Sequence, residues 1–146
     1  MMISNVAGEY LEAAKITGSQ KSDKFKPTYF LVCRSLELSL KGFLRGSGYS
    51  ASQLLKIRHD LDICVERAVV VGLDCYVSFS ADDRALISAA NLYYKSKDFE
   101  YTITGYKSHR PRLEALIKLA ERAWRGLRDF CVNHRKYHHG KPTAVL

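Results

Sequence analysis

Apolar residues recur along this chain at the three- and four-residue spacing of amphipathic helices. The clearest example runs from Thr28 to Arg45, which Pro27 opens and Gly46 and Gly48 close. Two apolar faces cover most of its circumference, so we predict that it is the central helix. Further helices are predicted over residues 5–17, 50–56, 60–71, 82–95 and 111–137. The pattern therefore predicts an all-α, up-and-down bundle of about four to five helices.

Polar residues mark several of the helix starts. Ser50, Asp60 and Ser80 each precede an apolar helical segment and are residue types that cap helix N-termini. Residues 99–104 alternate in a strand-like way, but the segment is short and solitary, and we expect an extended loop there. Since no linker or internal repeat interrupts the pattern, the chain is predicted to be one domain spanning residues 1–146.

Composition and charge narrow the function classes. The chain has 146 residues, 47% of them hydrophobic, and a net charge of +8, so its surface should attract polyanions, and RNA or DNA is a permitted partner. Its four cysteines form no C-x-x-C pair, and we expect reduced thiols, three of them buried: Cys33, Cys64 and Cys131. With no secretory pattern and no apolar run of bilayer length, we expect a cytoplasmic protein with no membrane partner.

The stretch from Arg34 to Leu73 carries a more specific signal. Glu37 and Lys41 form an E-x-x-x-K pair on the predicted central helix, and a glycine turn leads from it to the tripeptide His59-Asp60-Leu61. This arrangement resembles the HEPN family of prokaryotic RNA-associated proteins. Arg58 stands where the commoner form of that family has glycine.

The resemblance implies a helical bundle, often a homodimer, from prokaryotic defence or toxin–antitoxin systems. Its catalytic members are metal-independent ribonucleases with an R-x(4 to 6)-H motif, and others are non-catalytic modules beside a nucleotidyltransferase. The expected partners are therefore RNA, a second copy of the chain, and a nucleotidyltransferase or antitoxin protein. No cofactor and no metal ion is expected.

Arg128 and His134 match that motif as R-x5-H. In RNA cleavage His134 would move the proton of the attacking 2′-hydroxyl, and Arg128 would stabilise charge on the phosphoryl oxygens. A six-residue separation turns the two side chains roughly 120° apart on a regular helix, so convergence would need a long arginine reach or a dimer. The alternative is a solvated basic face.

Three further groups are candidates for binding or structure. Around Pro111 and the chain end, five basic residues are RNA-contact candidates, the alternative being a solvated loop: Lys107, Arg110, Arg112, Arg135 and Lys136. A polar network is predicted on and beside the central helix, the alternative being a second catalytic or nucleotide-binding site: Arg34, Glu37, Lys41, His59 and Asp60. His134 and His138 are spaced as two metal ligands, but two ligands do not make a site.

Overall fold

The computed structural model describes residues 3–22, 25–96 and 111–138, without the side chains of residue 132 and residues 134–138. These ranges contain six α-helices, one 3-10 turn at Leu73–Cys75 and no strand: α1 (Ile3–Gln20), α2 (Lys26–Gly46), α3 (Ala51–Ile57), α4 (Leu61–Val70), α5 (Ala81–Tyr94) and α6 (Leu113–His138). The predicted all-α class is confirmed, with six helices where about four to five were predicted. The predicted loop at residues 99–104 lies outside the described residues.

The long helices α1, α2 and α6 pack against one another, and α4 and α5 cover another side of α2. Because α2 is enclosed in this way, six of its apolar side chains are fully buried: Val32, Cys33, Leu36, Leu40, Phe43 and Leu44. Burying such side chains is the main favourable term in folding, at about 1.5–3 kcal/mol each. The prediction that this is the central helix is confirmed.

Close approach between α1 and α6 depends on a glycine. The indole of Trp124 lies against Gly8, so close that a Cβ on residue 8 would come within 2.8 Å of the ring. The indole Nε1 donates a hydrogen bond to the carbonyl oxygen of Ser4 at 2.9 Å. Trp124 thus fixes α6 on α1 while the opposite side of α6 remains outside the core.

The predicted caps begin the shorter helices. Ser50 accepts a hydrogen bond from the backbone N–H of Gln53, whose side chain accepts one from Ser50 in return. Ser80 and Asp83 form the same reciprocal box at the start of α5. Each box satisfies two backbone donors that a helix N-terminus leaves unpaired, and the cap predicted at Asp60 is confirmed as well.

Candidate functional site

The outer side of α6 carries much of the positive charge of the chain. From Arg112 to His138 the sequence has seven basic and three acidic residues. Five basic side chains with described positions are exposed, and we refer to them as the basic face of α6: Arg112, Lys118, Arg122, Arg125 and Arg128. Since the inner side of the same helix is buried against α1 and α2, this charge faces solvent.

The ion pairs on the basic face are of the weak, exposed kind. Three basic residues pair with carboxylates at nitrogen-to-oxygen distances of 2.5 to 3.1 Å: Lys118 with Glu114, Arg122 with Asp83, and Arg125 with Glu121. The side chains of Lys118 and Arg125 remain 74% and 70% exposed. Exposed pairs contribute about 0–1 kcal/mol, so a phosphate group can compete for these cations.

The candidate catalytic pair occupies the C-terminal half of α6. The guanidinium of Arg128 lies over the ring of Trp124, 5.1 Å from its centroid, and its Nε is 3.6 Å from the carboxylate of Asp129. His134 is on the same helix, but its side chain lies outside the described part. The backbone places the two residues on one continuous helix.

The candidate RNA contacts are only partly described. Arg112 is exposed just before α6 begins. Arg135 and Lys136 lie on the last turns of α6, without described side chains. Lys107 and Arg110 fall outside the described residues.

A second group of charged residues converges on Glu37 of α2, and we refer to it as the Glu37 cluster: Arg34, Glu37, Lys41, His59 and Tyr94. The carboxylate of Glu37 is only 1% exposed. Lys41 donates to its Oε2 at 2.8 Å and Arg34 to the same atom at 3.2 Å. His59 Nδ1 lies 3.0 Å from Oε1, and the hydroxyl of Tyr94 donates to Oε1 at 2.5 Å. Both oxygens of this buried carboxylate therefore have two partners each.

These contacts keep Glu37 ionised. Burial by itself would raise the pKa of Glu37, but the hydrogen bonds from Lys41, Tyr94 and His59 outweigh it and hold the pKa below its usual range. The same burial and the neighbouring charge of Glu37 raise the pKa of the Tyr94 hydroxyl. Tyr94 therefore remains a proton-bearing donor to an anion that its own hydrogen bond helps to stabilise.

The contact with Glu37 orients the ring of His59. A carboxylate can only accept a hydrogen bond, so this 3.0 Å contact favours a hydrogen on Nδ1, whereas Arg34 Nη1, which can only donate, lies 3.5 Å from the same nitrogen. The second ring nitrogen, Nε2, belongs to a side chain that is 51% exposed. A histidine oriented by a carboxylate in this way presents Nε2 to an incoming group.

The turn that carries His59 is strained at its preceding residue. Arg58 has φ 57° and ψ −131°, and it is the one residue other than glycine with a positive φ in the described ranges. This conformation normally belongs to glycine and costs other residues about 1–3 kcal/mol. Lys41 donates a hydrogen bond to the Arg58 carbonyl oxygen, and this contact ties the turn to α2.

Asp60 belongs to a neighbouring cluster instead of bonding Glu37. Its Oδ1 accepts from the backbone N–H of Ile63 and from the amide of Asn91, and its Oδ2 lies 3.9 Å from Lys95. The Asn91 amide oxygen accepts from the N–H of Leu61 at 2.9 Å. Asn91 thus connects α5 to the start of α4.

The sequence argument placed His59 in the network of Glu37 but missed Tyr94 and Asn91. A signal for Asn91 was present, because with Ile87 and Tyr94 it lies on one buried stripe of α5 at spacings of four and three. A polar residue in an apolar stripe needs a hydrogen-bonding partner. The contact of Tyr94 with Glu37 has no comparable local signal, because it crosses 57 positions of the chain.

The cysteines are free thiols, as predicted, and Cys33, Cys64 and Cys131 are buried. Burial raises the pKa of Cys131 to about 11 and that of Cys64 to about 12. These three are therefore packing residues. Among the described side chains, no group of three or more His, Cys, Asp or Glu residues could hold a metal ion.

Comparisons with known proteins add no relative. No match was found among protein-family models, curated proteins or solved structures. Within the described ranges, no helix has the length and apolar character needed to cross a membrane. The basic face of α6 and the Glu37 cluster are therefore the two features from which a function can be inferred.

Proposed function

We propose that this protein is an RNA-associated helical domain whose basic face of α6 binds the phosphate backbone. The observation that carries the proposal is the charge of the segment from Arg112 to His138, which has seven basic and three acidic residues and whose helix has a buried inner side. Neutralising phosphates with Lys and Arg releases condensed counterions and is the main source of sequence-independent nucleic-acid affinity. The HEPN-like pattern in the sequence favours RNA as the polyanion.

The test is the affinity for a fluorescently labelled single-stranded RNA, measured by anisotropy at about 0.1 M salt. The double variant Lys118→Glu with Arg125→Glu reverses two exposed charges on α6. We expect it to bind at least about tenfold more weakly than the wild type, since each lost phosphate contact removes counterion release.

The matched control reverses the same number of charges elsewhere. Lys56 of α3 and Arg84 of α5 are exposed, and Lys56→Glu with Arg84→Glu changes the net charge equally. We expect this control to bind within about threefold of the wild type, because long-range attraction is largely screened at this salt. Equal losses in the two double variants would show non-specific attraction and contradict the assignment to α6.

The finer proposal is metal-independent cleavage of the bound RNA by Arg128 and His134. It is supported by the R-x5-H spacing and the HEPN-like pattern, and it requires a homodimer or a long arginine reach to bring the pair together. The protein is incubated with a mixed RNA in the presence of EDTA, beside His134→Ala and Arg128→Ala. Cleavage by the wild type alone, leaving cyclic phosphate ends, is the expected result.

The alternative function is a non-catalytic interaction module that partners a nucleotidyltransferase, an antitoxin or another accessory protein. RNA binding without cleavage would leave an RNA-binding module. Absence of both RNA binding and RNA cleavage would favour the interaction module, because the basic face would then not bind RNA.

A further inference from the structure

The Glu37 cluster holds more positive than negative charge. Lys41 and Arg34 both pair with the single carboxylate of Glu37, and His59 contacts it as a third nitrogen ligand. The neighbouring carboxylate of Asp60 bonds to Asn91 and Ile63 and has Lys95 beside it. Among the side chains that the structure describes, the cluster therefore has at least one more positive than negative charge.

The side chains of the cluster become more exposed from the core towards solvent. Glu37 is 1% exposed, Lys41 12%, Arg34 28% and His59 51%. A ligand from solvent would meet Arg34 and His59 first and would leave the buried carboxylate and Lys41 in place. Cations held in position by a buried counterion lose little side-chain entropy when they bind an anion.

The geometry of His59 suits an anion as well. Glu37 contacts the ring through Nδ1, which leaves Nε2 on a side chain that is 51% exposed and within reach of a ligand from solvent. The strained residue Arg58 comes directly before it and adds an exposed guanidinium. Backbone strain persists where the surrounding contacts enforce it, and it is concentrated at functional sites.

We propose that the open side of the Glu37 cluster binds a phosphate group, with Arg34 and His59 as its direct donors and Arg58 as an additional positive charge. The planar fork of an arginine matches two phosphate oxygens. No residue of α6 takes part, so this site is independent of the basic face and of the RNA proposal. The ligand is a free phosphate or the terminal phosphate of a nucleotide.

The experiment titrates the full chain with inorganic phosphate at constant ionic strength and follows the imidazole resonances of His59 by NMR. We expect saturable shifts that chloride at the same ionic strength does not cause. Arg34→Gln should weaken phosphate binding about tenfold, which is the effect of losing one charge-assisted hydrogen bond. The matched control Arg84→Gln, at an exposed residue outside both sites, should bind phosphate as the wild type does.

A second variant tests the proposal independently if Arg34→Gln does not fold. Arg58→Gln removes an exposed charge without touching Glu37, and we expect phosphate binding about threefold weaker. Unsaturable shifts, or equal affinity in the wild type and both variants, would overturn the proposal.

Two further ligands separate the sources of the phosphate. Adenosine 5′-monophosphate that binds more tightly than phosphate would assign the site to nucleotides, and equal affinity would assign it to free phosphate. Adenosine without a phosphate should not bind. If adenosine bound as tightly as its monophosphate, the phosphate assignment would be wrong.

Discussion

Glu37 and Glu121 bind the same kinds of partner in two opposite settings. Glu37 pairs with a lysine and an arginine inside the bundle, where its carboxylate is 1% exposed. Glu121 pairs with Lys15 and Arg125 at the surface, where its side chain is 27% exposed. The comparison teaches that the effect of an ion pair depends on its burial: loss of the buried carboxylate leaves its cations without a counterion, whereas loss of the exposed carboxylate changes stability little.

The largest expected effect comes from removing each carboxylate in turn. Glu37→Gln leaves Lys41 and Arg34 without their counterion, and breaking such a buried pair costs about 3 kcal/mol in free energy of unfolding. Glu121→Gln should cost no more than about 1 kcal/mol. Urea denaturation of both variants measures the difference, and similar losses would remove the distinction between the two regions.

The strained turn beside Glu37 gives an effect of the opposite sign. Arg58→Gly should increase the free energy of unfolding by about 1 kcal/mol, because relief of the strain exceeds the added entropy of the unfolded chain. The matched control is Arg67→Gly on the exposed side of α4. There glycine should cost about 1 kcal/mol, because a helix interior disfavours it. A loss in both variants would show that Arg58 is unstrained.

The dependence of stability on pH is the smallest expected effect. The pKa of Glu37 is lower in the folded chain than its ordinary value of 4.5, so the unfolded chain binds more protons as the pH falls. Its contribution to stability is therefore complete above about pH 5 and is lost as the pH falls through the folded-state pKa. Denaturation between about pH 3 and 7 should show a weaker acid loss in Glu37→Gln than in the wild type. If the free energy of unfolding fell equally with pH in both proteins, the loss of stability in acid would not come from Glu37.

The local structure could be predicted from the sequence, but most contacts between distant residues could not. Helix bounds, caps and the stripe of Arg34, Glu37 and Lys41 follow from spacing, because residues three and four apart share a helix face. The contact of Glu37 with Tyr94 joins residues 57 positions apart, and no local rule predicts it. We predicted that Asp60 joins the Glu37 network. Its carboxylate instead accepts a hydrogen bond from Asn91 of α5.

Arg58 shows how a departure in the sequence becomes interpretable with the fold. Arg58 precedes His59 at a position where the HEPN-like pattern commonly has glycine. The structure gives Arg58 a backbone conformation typical of glycine. The side chain is tolerated because it is exposed and because Lys41 holds the carbonyl. Its energetic cost could not be seen from spacing alone.

The most direct test of the central claim is the salt dependence of RNA binding. For single-stranded RNA, each neutralised phosphate contributes roughly −0.7 to the slope of log affinity against log salt. The double variant Lys118→Glu with Arg125→Glu should therefore reduce the magnitude of the slope by roughly 1.4 relative to the wild type, and Lys56→Glu with Arg84→Glu should leave it unchanged. An unchanged slope in the α6 variant, or an equal reduction in both, would contradict RNA binding by the basic face.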